Sequence, residues 1–335
     1  MRVGSGANSY QWIDNWAKLP ESDSSLKGWA HPGIVVTQSG DVITCHPGDP
    51  NVMTFDSEGN QKSSWQGEFA DAHGITIVNE GGTEYLWIAD NGSKRSHRYD
   101  YDYPPGADND SGQVFKTTLD GQTVMRLDAP PHPAYESSRY SPTTVAINEE
   151  RFGGNGDIWV GDGYGASYVH RFTSDGEYVS SINGEEGAGR YNCPHGIYID
   201  RRKSEPELYV ADRANNRVQV YDLEGNFKRS FGDDFLITPS AFVTYGDLLV
   251  IAELRARLAI TDMDDDLVVY LGDNMQVCDV DGWPNNTGDS GQIVPTSLLE
   301  AGKFNSPHGL TADSEGNLYV AEWLIGGRVI KLEKA

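Results

Sequence analysis

The sequence predicts an all-β chain folded as one six-bladed β-propeller across residues 1–335. A unit of four short strands recurs six times, Gly and Asp punctuate it, and long amphipathic helical patterns are scarce. Glycine is abundant, at 38 of 335 residues, and this suits short strands joined by tight turns. The length is large for one ordinary core but natural for repeats that bury their faces against each other.

The clearest unit opens with Pro194-His195-Gly196-Ile197-Tyr198-Ile199-Asp200 and continues with Leu208-Tyr209-Val210-Ala211-Asp212-Arg213. Its third strand is Asn216-Arg217-Val218-Gln219-Val220-Tyr221-Asp222, and Gly225-Asn226-Phe227-Lys228 opens the fourth. Period-2 alternation between turn residues marks each run as a strand. Further copies begin at Pro32-Gly33-Ile34, His73-Gly74-Ile75, Pro142-Thr143-Thr144, Pro239-Ser240-Ala241 and Pro307-His308-Gly309. The last copy ends after its third strand, at Arg328 to Leu332. The N-terminal segment 1–31 is therefore expected to supply the missing strand, from Tyr10 to Leu19, and to close the ring without a free edge. From about residue 30 onward this pattern resembles the NHL-repeat family, closely in the Pro194 and Pro307 copies and loosely in the Pro239 copy.

A formal charge of -24 excludes nucleic acid and anionic membrane as partners, since phosphate binding needs clustered Lys and Arg. Cys45, Cys193 and Cys278 are an odd number at unrelated spacings, so no disulfide framework or zinc ribbon follows. The start, Met1-Arg2-Val3-Gly4, has no apolar signal region, and no run nears the about 18 apolar residues of a spanning helix. The expectation is a soluble, cytoplasmic chain, with Asn91, Asn109 and Asn285 as ordinary loop asparagines.

In each unit the first strand lines the central channel. The residue at its mouth reads Pro32, His73, Thr143, His195, Ser240 and His308 around the ring. Histidine occupies alternate blades, so three imidazoles about 120° apart are aimed at one point on the axis. Three neutral imidazoles with a fourth position open is a common way to hold catalytic zinc, although copper, nickel and iron also accept imidazole. His31, His97, His132 and His170 show no such register. Cys193 and His46 are the candidates for a closing fourth ligand.

Strand direction alternates within a blade, so the end of the second strand shares the metal's face. The recurring acids there, Asp90, Asp162, Asp212, Glu253 and Glu322, are expected to cap turn amides. Tyr164 and Arg213 are blade-specific and are the candidate catalytic residues. A phenol near a divalent metal can serve as a base, and a guanidinium can hold a carboxylate or carbonyl. The loops Asp128–Ser141 and Asp273–Ser306 are long enough to cover this face. The insertion Asp100–Gln113 is expected at the outer edge of its blade.

The chain further resembles the peptidylglycine amidoglycolate lyases, which cleave the C–N bond of a peptidyl α-hydroxyglycine to a peptide amide and glyoxylate. The matching stretches are Ala72-His73-Gly74-Ile75, Pro194-His195-Gly196-Ile197 and Pro307-His308-Gly309-Leu310 for the metal. Gly161-Asp162-Gly163-Tyr164-Gly165 matches the catalytic tyrosine, and Ala211-Asp212-Arg213-Ala214-Asn215 the active-site arginine. The resemblance implies a zinc-dependent lyase acting on a small-molecule or peptide-like substrate, with structural calcium near the axis for which no ligand set can be named. Two departures stand out. A first-blade His-Arg-Gly-Asp stretch reads His46-Pro47-Gly48-Asp49 here, and Gly309 follows the third histidine where the lyases carry Asp. A metal-dependent hydrolase or lactonase, and a non-catalytic interaction platform, are the alternative readings.

Overall fold

The computed structural model describes residues 1–20, 29, 31–46, 48, 50–92 and 112–335. Six antiparallel sheets stand around a central axis, each a simple meander from the axis outward. Blade 1 comprises Ile34–Val36, Val42–Cys45, Val52–Phe55 and Gln61–Trp65. Blade 2 comprises Ala72–Glu80, Thr83–Asp90, Gln113–Thr118 and Thr123–Leu127. Blade 3 comprises Thr144–Ile147, Ile158–Gly161, Val169–Phe172 and Tyr178–Ile182. Blade 4 comprises Pro194–Asp200, Glu207–Asp212, Arg217–Tyr221 and Phe227–Phe231. Blade 5 comprises Pro239–Tyr245, Leu248–Glu253, Arg257–Thr261 and Leu267–Leu271.

Blade 6 combines Pro307–Ala312, Leu318–Glu322 and Arg328–Lys334 with two N-terminal strands, Asn8–Ile13 and Arg2–Ser5. The strand pairing with the C-terminus is thus Asn8–Ile13, with Tyr10 opposite Lys334 and Ile13 opposite Lys331, rather than Tyr10–Leu19. The chain leaves the sheet at Asp14-Asn15, where Asn15 takes a left-handed conformation (φ 44°). Trp16 then wedges between blades 6 and 1, against Tyr319 and Phe55, while its amide donates to the Val329 carbonyl. Arg328, nearly fully buried, bonds Glu322 of its own blade and Asp14 of the N-terminal segment, so it pins both ends of the chain together.

The cores lie between blades, as expected when each sheet has two apolar faces. Second strands such as Glu207–Asp212 are buried along their whole length, and fourth strands such as Gln61–Trp65 are mostly exposed. Blades 3 and 4, for example, share Trp159, Val169, Ile197, Leu208 and Tyr221. No helix among the described residues is long and apolar enough to cross a membrane.

The loop Asp128–Ser141 contains a single 3-10 turn, Pro133–Glu136. Asp273–Ser306 carries another, Met275–Asp279, and a short hairpin of Asn286–Thr287 with Ile293–Val294. The side chain of Asn285 in that loop is buried and accepts from the Ile325 amide. Asn109, His97, and all but the last two residues of Asp100–Gln113 lie outside the described residues, as do Pro47 and Asp49.

Candidate metal centre

The first strands of blades 2, 4 and 6 begin with a register shift, between Ala72 and Ile75, Pro194 and Ile197, and Pro307 and Gly309. A bulge at that place turns the intervening side chain away from the pleat and toward the axis. His73, His195 and His308 are consequently gathered together, with ring centroids 4.6–4.9 Å apart and ligand atoms all within 4.8 Å of one another.

Each histidine is oriented by the next blade. Its Nδ1–H donates to a backbone carbonyl: His73 to Thr143 (2.7 Å), His195 to Ser240 (2.8 Å) and His308 to Pro32 (3.4 Å). These acceptors are the same register position in blades 3, 5 and 1. A carbonyl can only accept, so the proton is on Nδ1 and the Nε2 lone pair is left for the axis. The glycine following each histidine permits this approach. A Cβ on Gly74 would lie 2.4 Å from the Thr143 oxygen, on Gly196 2.7 Å from that of Ser240, and on Gly309 2.2 Å from that of Pro32. The aspartate that follows the third histidine in the resembling lyases therefore has no room here.

Burial is the largest cause holding all three imidazoles well below the usual histidine range. The neighbouring imidazoles and the Arg213 charge push the same way. They are neutral, which is the ligating state. Nε2 of His308 is buried without a hydrogen-bond partner among the described residues. The Tyr164 hydroxyl lies 3.1 Å from Nε2 of both His73 and His195, but its single proton can serve only one of them. Three converging lone pairs with one proton between them fit a divalent cation that accepts imidazole. Below the rings, toward the opposite face, is a cavity of about 200 Å³ whose walls include Ile75, Ile197, Phe242 and Leu310.

Tyr164 stands on the open side, about a third exposed, and Arg213 Nη1 donates to its hydroxyl at 3.3 Å from a position over the ring. Arg213 begins the short turn Arg213–Asn215 at the end of blade 4's second strand, and its amide donates to the Cys193 carbonyl. Cys193 and His46 both lie outside the ligand group. Cys193 has φ 62° and a thiol raised by burial, and His46 Nδ1 accepts from the Gly48 amide of its own loop. The recurring acids do accept amides, as Asp90 does from Ala70, Asp71 and Gly92, and Glu322 from Asn305 and Ser306.

One neighbour has no signature in the repeat. His31 is buried against the group, its ring 5.4 Å from that of His73, 5.7 Å from His308 and 6.2 Å from Tyr164. Its Nδ1 pairs with the buried Asp71 carboxylate at 2.8 Å, and Trp323 stacks on it at 5.8 Å. The only sequence signal is adjacency, since His31 and Asp71 each lie one or two residues before a register position.

Fold and site together define a six-bladed β-propeller with three imidazoles gathered on its axis. Residues 152–247 match a family model described as a six-bladed β-propeller. NHL repeat-containing protein 3 of Homo sapiens is 26% identical over 96% of this chain and 83% of its own length. Peptidyl-glycine alpha-amidating monooxygenase B of Xenopus laevis is 23% identical over 87% of this chain, which spans only 28% of that protein. A probable peptidyl-alpha-hydroxyglycine alpha-amidating lyase of Caenorhabditis elegans is 30% identical over 46% of this chain and 38% of its own length. Among solved structures, a streptogramin B lyase aligns over 97% of this chain and 98% of its own, with TM-score 0.61 and 14% identity. A gluconolactonase of Xanthomonas campestris aligns over 99% and 94%, with TM-score 0.60 and 12% identity. The structural likenesses show the fold alone.

Proposed function

We propose that this propeller is a metal-dependent lyase that cleaves a C–N or C–O bond at a hydroxylated carbon, with an N-acyl-α-hydroxyglycine as the substrate class to test first. The observation that carries this reading is the convergence of three neutral imidazoles on the spot faced by the Tyr164 hydroxyl, with Arg213 bonded to that same oxygen. His73, His195 and His308 would hold the ion, zinc being the first candidate. A divalent metal there supplies Lewis acidity at the substrate hydroxyl.

Tyr164 is placed to take the hydroxyl proton as its phenolate, which the Arg213 guanidinium stabilises before the transfer, and it is a neutral phenol afterwards. The O–H electron pair becomes the second bond of a C=O group as the C–N bond breaks, and the leaving nitrogen takes the proton back. For an N-acyl-α-hydroxyglycine the products are a primary amide and glyoxylate, so atoms and charge balance without a redox partner. Arg213 also offers its second nitrogen to the substrate carboxylate or acyl oxygen. His31, held by Asp71 and stacked on Trp323, lies beside His73, His308 and Tyr164 and would restrict what fits beside the reacting carbon.

The test is glyoxylate release from N-benzoyl-α-hydroxyglycine by the zinc-loaded protein. Tyr164→Phe is expected to lower kcat by about 10²–10⁴-fold with metal content unchanged. Absence of glyoxylate from the wild type, or full turnover by Tyr164→Phe, would contradict the assignment. Running the reaction in ¹⁸O-labelled water separates elimination, which leaves the amide unlabelled, from hydrolysis, which labels an acid product.

A further inference from the structure

The recurring acids of blades 4, 5 and 6 are each paired with an arginine that opens the third strand of the same blade. The pairs are Asp212 with Arg217, Glu253 with Arg257 and Glu322 with Arg328. Blade 3 breaks the pattern, because Tyr168 occupies the corresponding place opposite Asp162. The buried carboxylate of Asp162 is met instead by Tyr135, from the 3-10 turn of the Asp128–Ser141 loop, whose hydroxyl donates to Oδ2 at 2.7 Å.

Tyr135 is in turn fixed from behind. Its oxygen lies 2.5 Å from Nε2 of the fully buried His170, whose Nδ1 lies 2.7 Å from Ser181 Oγ, which lies 2.8 Å from the Tyr178 hydroxyl. Burial pushes His170 down to about 3, so the ring is neutral and carries one proton. Because the phenol proton goes to Asp162, His170 must donate through Nε2 and accept through Nδ1. The directions are then settled along the whole chain: Tyr178 to Ser181, Ser181 to His170, His170 to Tyr135, Tyr135 to Asp162. In blade 4 the equivalent of His170 is Gln219, which reaches its acid directly at 3.2 Å. Among the described residues, blade 3 alone inserts a loop residue, Tyr135, between the two.

Asp162 closes the turn that carries Tyr164. Its Oδ2 also accepts the Ala166 amide at 2.6 Å, and its Oδ1 accepts the Ser141 amide at 2.7 Å. The Tyr164 amide donates to the Ser141 carbonyl at 3.2 Å. The loop and the turn therefore hold one another at three points, one of which is a single hydroxyl. We propose that Tyr135 is a positioning residue for Tyr164: it latches the Asp128–Ser141 loop onto the carboxylate that shapes the Tyr164 turn. The proposal rests on the reading of Tyr164 as the reacting phenol.

The experiment places 3-fluorotyrosine at position 164 and records its ¹⁹F spectrum. With Tyr135 present a single narrow resonance is expected. Tyr135→Phe, which keeps the ring and removes the donor, should broaden, split or shift it. 4-Aminophenylalanine at position 135, which restores an N–H donor to Asp162, should recover the original line and shows that a changed line is not misfolding. On N-benzoyl-α-hydroxyglycine, Tyr135→Phe should lower kcat about ten- to a hundredfold, as losing a hydrogen bond to a charged group does, with KM within about twofold. An unchanged ¹⁹F line in Tyr135→Phe, or a line that the amino variant fails to recover, would overturn the latch. Lack of wild-type turnover would overturn the lyase reading and leave the ¹⁹F result to decide on Tyr135.

Discussion

Placing alanine at Gly309, Gly74 or Gly196 tests how the axial histidines are held. Each glycine follows one of the three axial histidines, and each faces the carbonyl to which that histidine donates. Real Cβ atoms essentially never come within 3.0 Å of such an atom, so the carbonyl must retreat by at least 0.8 Å at Gly309, 0.6 Å at Gly74 and 0.3 Å at Gly196, from separations of 2.2, 2.4 and 2.7 Å. The displaced groups are backbone of the adjacent blade and cannot rotate away. The same movement lengthens the Nδ1–H bond, which at His308 is already 3.4 Å. Overpacking costs roughly 1–3 kcal/mol and a lost buried hydrogen bond about 1 kcal/mol more. Gly309→Ala should thus cost about 3 kcal/mol and Gly196→Ala about 1 kcal/mol, with Gly74→Ala between them. Urea unfolding of chelator-treated protein measures the order, and zinc titration should show affinity falling in the same order. If all three variants stay within about 0.5 kcal/mol of wild type, or Gly196→Ala is the worst, the close approach of blades is not what orients the imidazoles.

Other outcomes follow from the buried polar groups. His170 is neutral in the fold, near 3, against an ordinary value of 6.5, so the unfolded chain takes up its proton first as pH falls. Its contribution is intact above about pH 6.5 and is lost progressively toward pH 3, costing about 2 kcal/mol by pH 5, and His170→Gln should remove that part of the acid sensitivity in unfolding measured at pH 7 and pH 5. Arg328→Met leaves Glu322 buried without its cation and frees Asp14, which should cost roughly 3–5 kcal/mol in thermal or urea unfolding, and adding Glu322→Gln should recover a good part. His31→Ala should preserve metal content and alter KM across a set of N-acyl-α-hydroxyglycines differing in acyl bulk; unchanged KM across the set would remove His31 from the substrate wall.

The propeller and its axial histidines are legible in the sequence because both obey the repeat. A residue at one register position in alternate blades has one place to go, whatever the loops do. Residues outside that register are hidden for the same reason. His31 precedes the first unit and reaches the axis only because the chain crosses there before Pro32. Tyr135 sits in a loop, and its connection to Asp162 depends on how the loop folds back. His170 is one of the off-register histidines in the sequence, and its burial and its equivalence to blade 4's Gln219 emerge only from the fold. The closing strand was misplaced by a few residues because apolar Trp16 and Ala17 read like strand, whereas they fill the seam between blades 6 and 1 beyond the turn at Asn15.

The central claim is that the three imidazoles hold a metal ion. Elemental analysis of protein purified without chelator, wild type beside His195→Ala, tests it most directly. About one equivalent of zinc or another transition metal per chain, lost in the variant, is the expected result. No metal above background in the wild type, or equal metal in both proteins, would contradict the account and leave the histidines as the lining of a channel.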